Sequence, residues 1–338
     1  MSLVKYVLRR ILFLLILIFG AATLVFIISH VVPSDPVTLY VSERNLDNPA
    51  IVDAFNSKWG LDKPLYMQYL LYLKSLMRGD LGTSIRTQKP VMQDILTFLP
   101  ATIELAFFAM LIASIFGVLF GIISAVNRNN TIDQIVRTIS VTGVSIPIFW
   151  LAIFTLFIFY FKLDWFPGPG RISSLIEPPY PITRLFILDS ILQGNWIAAI
   201  SSFRHILLPS MVLASFNLGL ISRTTRANLL EALSADYIRT AKSKGLSKGM
   251  IVMRHALGNS LIPVITVIGL GLSNLLGGTV LIENIFAWPG IGAYAYQSVT
   301  TLDFTAITGV ALLIALNYLV VNLFIDILYG VIDPRVRL

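Results

Sequence analysis

EALSADYIRTAKSKGLSKGMIVMRHALGNSLIP, residues 231–263, is a basic stretch set between two long apolar runs, and the remainder of the chain reads as a frame that holds it. At helical spacing Leu229, Leu233, Tyr237 and Ala241 share one face, while Arg226, Arg239, Lys242 and Lys244 spread over others, which predicts one amphipathic helix. Gly245 stands where a left-handed residue would end that helix. Ser247 stands where a hydroxyl would accept from the first free amides of a second helix, running from Met250 to Leu257. The expectation is helix, tight turn, helix.

Composition says what surrounds this elbow. Of 338 residues 56% are hydrophobic and only 13% charged, whereas a soluble domain carries roughly a quarter charged residues. This is the composition of a membrane protein. Cysteine is absent, which excludes disulfides and thiolate metal sites, and His30, His205 and His255 are scattered, so no metal site is expected. A net charge of +7 and a basic helix-turn-helix raise the question of nucleic acid. Basic residues gathered on one side of a bilayer satisfy the positive-inside rule without such a partner, and no nucleic-acid function is assigned.

A crossing helix needs about 20 apolar residues. Runs at 11–34, 105–127, 138–161, 206–222, 256–282 and 304–325 are free of Asp, Glu, Lys and Arg, and the fourth is the shortest. The first follows Lys5, Arg9 and Arg10 and so invites comparison with a signal peptide. It continues apolar through Val31, beyond the length of a signal core of about 7 to 15 residues, and reads as a retained helix. The loop from Arg223 to Arg254 holds seven basic residues against Glu231 and Asp236, and the amino terminus and the tail after Asp333 are also basic. The segment 35–99 balances seven basic against seven acidic residues, 162–204 is mixed, and 283–303 carries only Glu283 and Asp303. Six spans with both termini cytoplasmic satisfy every loop. Three units are expected: an N-terminal helix (1–34), an external layer of short helices (35–99), and a five-helix core (100–338) carrying the cytoplasmic loop 223–259.

The elbow resembles the cytoplasmic loop of ATP-binding-cassette (ABC) importer permeases. Their pattern is Glu-Ala-Ala, three residues, Gly, nine residues, Ile-x-Leu-Pro; aligned on Gly245, Ala241 matches the second Ala and Leu257 the Leu. Arg239, Thr240, His255 and Gly258 depart from it, and those departures fit one subfamily: DYIRTAKSKGL followed by RHALGNSLIP is similar to the permeases of dipeptide and oligopeptide importers. SHVVPSDP after the first span, RGDLGTSI (Arg78–Ile85), WPGIG within Glu283–Gly292 and the closing NLFIDILYGVIDPRVR carry the same likeness. By chemistry alone Gly79 and Gly82 mark turns, and Trp288 reads as an aromatic anchor at the membrane interface.

The resemblance implies an all-α membrane protein of the type I ABC importer permease fold. It implies a short coupling helix seated on an ATPase subunit, with Asp236, Tyr237, Arg239, Thr240, Ala241, Lys242 and Gly245 at the contact. The implied partners are a second, homologous permease, two ABC ATPase subunits and an external solute-binding protein. The implied solute is a peptide, with oligosaccharides or nickel complexes as the alternative cargo. No G-x-x-x-x-G-K-[ST] stretch occurs, so ATP and Mg would be bound by the partner subunits, and this chain is not expected to be an enzyme.

Polar residues inside the apolar runs offer candidates for the path. Ser273, Asn274 and Asn317 lie mid-span, while Asp326 near the end of the last span could meet water, a neighbouring helix or a partner's basic group. Glu104 reads as an interfacial carboxylate. An ion-coupled secondary transporter is the competing class; such folds pair interrupted spans between two halves, and no such pair is evident.

Overall fold

The computed structural model describes residues 3–31, 49, 62–277 and 279–332. Among these residues every element is helical, apart from an isolated bridge between Thr83 and Pro90. In chain order the helices are α1 (Leu3–Val31), α2 (Leu65–Met77), α3 (Val91–Val126), α4 (Thr131–Ser145), α5 (Ile148–Thr155, continuing as π turns Leu156–Lys162) and α6 (Phe186–Leu192). They continue as α7 (Trp196–Ser234), α8 (Asp236–Ser243), α9 (Lys248–Leu276), α10 (Val280–Ile285), α11 (Ile291–Thr300) and α12 (Phe304–Ile332). Most of the segment 35–61 and the basic tail from Asp333 lie outside the described residues.

Helices α1, α3, α7, α9 and α12 are each long and apolar enough to cross a bilayer, and α4 with α5 makes a sixth candidate, bent by 103°. The uncharged run 138–161 is therefore not a straight crossing. Pro147 offers no amide and disfavours a helical conformation at Ile146, which turns extended (ψ 129°) and closes α4 at Ser145. The run 206–222, short by its lack of charge, lies inside the 39 residues of α7. At 1.5 Å per residue that helix is about 58 Å long against about 30 Å of hydrocarbon, so both its ends project.

Helices α3 and α7 are the central pair, and small residues let them meet closely. A Cβ at Gly121 would collide with Thr225, and one at Gly219 with the Ser140 carbonyl of α4. Around them a core of Ala, Leu, Ile and Val, with Trp288 at one end, ties in α5 and α9. Helix α1 lies along α12 and turns Leu12, Phe13, Ile16, Leu17 and Leu24 outward. Exposing such a surface to water would cost about 25 cal/mol per Å², so this arrangement belongs in lipid. Arg10 and Asp326 join α1 to α12 through an ion pair of 2.8 Å, which gives Asp326 a partner within the chain.

Candidate functional site

Helix α7 stops at Ser234 because Ala235 is extended (φ −71°, ψ 154°), and α8 begins at the next residue. The single amphipathic helix expected here is thus two, and the break changes which residues face inward. Ile238, 0% exposed, takes the buried place expected for Tyr237, which turns out to 42% exposure. Gly245 follows with φ +76°; its amide donates to the Lys242 carbonyl at 3.0 Å and that of Leu246 to the Ala241 carbonyl at 3.4 Å. This is the left-handed helix cap that glycine adopts without steric cost. Ser247 Oγ accepts from the Met250 amide at 3.4 Å. The second arm does not end at Leu257: it passes through π turns at Ile251–Ala256 into Leu257–Leu276, so elbow and span form one rod.

Beneath α8, Ile238 and Ala241 pack with Ala125 of α3, Leu229 of α7, and Ile251, Val252 and Ala256 of α9. A helix of eight residues has little stability alone; this apolar underside holds it to three crossing helices at once. Asp236, Tyr237, Arg239, Thr240, Lys242 and Gly245 are exposed, whereas Ala241 belongs to the underside. Arg239 and Asp236 approach to 3.5 Å with side chains 81% and 96% exposed, a contact worth little in water. Among the described residues Lys242, Lys244 and Lys248 have no acidic partner. The arrangement is a rigid basic knob on a long lever.

The candidates for the path are separated. Asn274 is exposed and shares one face of α9 with Asn259, Pro263 and Leu270, which are exposed as well. Ser273 is buried with its hydroxyl unpaired, and Asn317 on α12 is half-buried with an unpaired amide nitrogen. Asn259 reaches back to the elbow, its amide donating to the Tyr237 hydroxyl at 3.4 Å.

Residues 3–106 match the family described as "Binding-prot-dependent transport system membrane comp, N-term", and residues 117–338 the one described as "Binding-protein-dependent transport system inner membrane component". The chain belongs to the binding-protein-dependent ABC importer permeases. It is 45% identical over 323 residues to the probable D,D-dipeptide transport system permease protein DdpB of Escherichia coli (strain K12), covering 96% of this chain and 94% of that one. It is 41% identical over 332 residues to the dipeptide transport system permease protein DppB of Alkalihalophilus pseudofirmus, covering 98% and 99%. With the di/tripeptide transport system permease protein DppB of Pseudomonas aeruginosa it shares 40% over 333 residues, covering 98% of both.

Two polar centres of this permease are invisible to pattern reading. On the elbow side Asp133, 0% exposed, takes both Nε (2.9 Å) and Nη2 (2.8 Å) of Arg226, the Ser124 hydroxyl and the Asn129 amide. Arg226 is therefore a clamp between α7 and the start of α4, not one more surface charge. On the far side Glu104 is no interfacial carboxylate: it is 5% exposed, paired with Arg171 at 2.6 Å, and accepts the Ile187 amide at 2.9 Å. Burial pushes the Arg171 guanidinium below its usual pKa, and the neighbouring Glu104 opposes that shift.

Trp288 likewise is not a belt residue. It is 1% exposed, with its indole N–H donating to the Ala101 carbonyl at 2.8 Å. Pro100 inside α3 has no amide to give the Leu96 carbonyl, and Arg184 Nη1 donates there instead at 2.8 Å. The sequence signals for these contacts are the density of Pro and Gly around them and the WPGIG stretch itself.

Proposed function

We propose that this permease forms half of the path by which an ABC importer carries peptides into a prokaryotic cell, and that α8 is the helix through which separate ATPase subunits drive it. The observation that carries this reading is the elbow: a short helix with a buried apolar underside, an exposed basic outer face and a continuous rod into the fifth span. Closure of two ATPases is a rigid-body motion, and a knob held on three spans passes such a motion on without absorbing it. Tyr237, Arg239, Thr240, Lys242 and the end of α8 at Gly245 make the contact, with Asp236 at its rim and Ala241 anchoring it from below.

The elbow and both termini face the cytoplasm, and the side that carries α6, α10 and α11 faces outward, where a solute-binding protein delivers the cargo. ATP and Mg are bound by the two ATPase subunits. A second, homologous permease completes the path against the exposed face of α9, with Asn274 as the lining residue best placed to meet a peptide backbone. The peptide assignment rests on relatives of 40 to 45% identity over nearly the whole chain, each named for dipeptides or di- and tripeptides.

The test is Gly245→Pro. Proline cannot adopt φ +76° and has no amide for the Lys242 carbonyl. The variant is expected to reach the membrane yet neither retain the ATPase subunits through purification nor take up labelled dipeptide. Retention of both would refute the elbow as the point of coupling.

A further inference from the structure

The turn between the fifth and sixth spans, ENIFAWPGIG (Glu283–Gly292), has no part in contacting an ATPase, yet it is built around a buried carboxyl group. Glu283 is 0% exposed, and among the described residues no cation pairs with it. Its Oε2 accepts from the Ala293 amide at 2.9 Å and its Oε1 from the Thr102 hydroxyl at 2.8 Å. Thr102 Oγ1 in turn accepts the Ile291 amide at 2.8 Å. One carboxyl group from α10 thus accepts an amide from the first turn of α11 and bonds to a hydroxyl of α3.

The glycines of the motif make room for it. A Cβ at Gly290 would lie 2.5 Å from the Glu283 carboxyl, and one at Gly292 2.9 Å from Oε2. Further bonds close the turn: the Trp288 amide donates to the Glu283 carbonyl at 2.7 Å, and the Gly170 amide to the Phe286 carbonyl at 2.8 Å. The beginning of α12 is held on the same side by Asp303, which accepts from the Ser84 hydroxyl at 2.6 Å and from the Ala306 amide at 3.1 Å.

Helix α9 ends at Leu276, a few residues before α10, so its far end is tied through Glu283 to α3 while its near end is tied to α8. Between these points its neighbours press on glycine: a Cβ at Gly271 would meet Asn217 Oδ1 at 2.6 Å, and one at Gly269 the Ile325 side chain at 2.5 Å. We propose that Glu283 is a positioning residue for transport: it fixes the outer end of α9 to α3, so that displacement of the elbow tilts the span about that point instead of sliding it along its axis. The proposal rests on the reading that force enters at α8, and it adds the fulcrum.

A merely structural anchor would change how much importer assembles. A fulcrum also sets how much solute moves per ATP. The complete importer, with both permeases, both ATPases and the binding protein, is reconstituted in vesicles, and peptide uptake and ATP hydrolysis are measured together. Glu283→Met keeps the length of the side chain but removes both acceptors, so that the Ala293 amide and the Thr102 hydroxyl lose their partner. It is expected to retain ATPase subunits and hydrolysis while peptide moved per ATP falls about tenfold, the scale of one lost buried hydrogen bond. Thr102→Ser, which keeps the hydroxyl, should stay within about twofold. An unchanged ratio in Glu283→Met overturns the proposal. Should Glu283→Met fail to assemble, Thr102→Ala decides: a ratio lowered severalfold supports the fulcrum, and an unaltered ratio overturns it. Loss of the ATPase subunits belongs to the Gly245→Pro experiment, so failure of the coupling reading and failure of the fulcrum are told apart.

Discussion

Asp133 is among the most heavily committed side chains of the permease, with both oxygens occupied by the Arg226 fork, by the Ser124 hydroxyl of α3 and by the Asn129 amide of the turn that precedes it. Breaking a buried pair costs more than the pair contributes, because the remaining charge stays where water cannot reach it. Asp133→Ala is expected to lower the stability of the purified permease by about 3 kcal/mol. Arg226→Lys, which loses the two-pronged geometry, should fall between that variant and the wild type. Thermal unfolding in detergent measures both; equal midpoints for all three chains would remove the clamp from the account.

Asp189 is a second such case on the far side. Burial opposes its ionisation, but bonds from the Thr183 hydroxyl and the amides of Thr183, Arg184 and Ile182 outweigh it and hold the carboxyl below its ordinary 3.8. A depressed acid contributes stability that is present above its unfolded pKa and is lost as pH falls through the folded one. The amides of residues 182–184 should therefore keep their hydrogen-exchange protection at pH 5 and lose it only below about pH 4. Loss already at pH 6 would contradict this. Gly245 could be read in advance because a left-handed cap has a local cause. Asp133 and Asp189 could not, since a lone Asp near a helix start serves the helix dipole equally well.

At the scale of elements, the pairing of α3, α4 and α7 depends on residues too small to hold the backbones apart. Gly219 meets the Ser140 carbonyl, and Gly121 meets Thr225 and the Ser222 carbonyl. Gly219→Leu is expected to destabilise the permease by about 1 to 3 kcal/mol through overpacking. Gly249→Leu, in open space beside the elbow, should change stability by less than about 0.5 kcal/mol. Comparable losses in the two variants, read by thermal unfolding, would refute a close-packed crossing. The same scale explains where pattern reading went astray. A hydrophobic period reports that residues 229–241 are amphipathic, but one extended residue at Ala235 turns the next helix and exchanges Tyr237 for Ile238 in the core. The bend at Pro147 acts in the same way on the third uncharged run.

For the whole molecule, the proposed orientation has a direct check, because the chain contains no cysteine. A single Lys248→Cys, exposed at the start of α9 beside the elbow, should react with a membrane-impermeant maleimide in inside-out vesicles and not in right-side-out cells. Reaction in intact cells would place the elbow outside and end the coupling scheme.

Composition, the apolar runs, the sign of each loop and the glycine-capped elbow were all determined by the sequence itself. Partition into hydrocarbon and local caps are sums over neighbouring residues, and the long likeness to importer permeases rests on the same contiguous stretches. Tertiary structure alone decided which buried polar groups meet. Asp133 and Arg226 stand 93 positions apart and Thr102 and Glu283 stand 181 apart, and no local pattern encodes such pairs. They are chosen by how long helices cross, where a buried polar group must find whatever partner the packing brings to it.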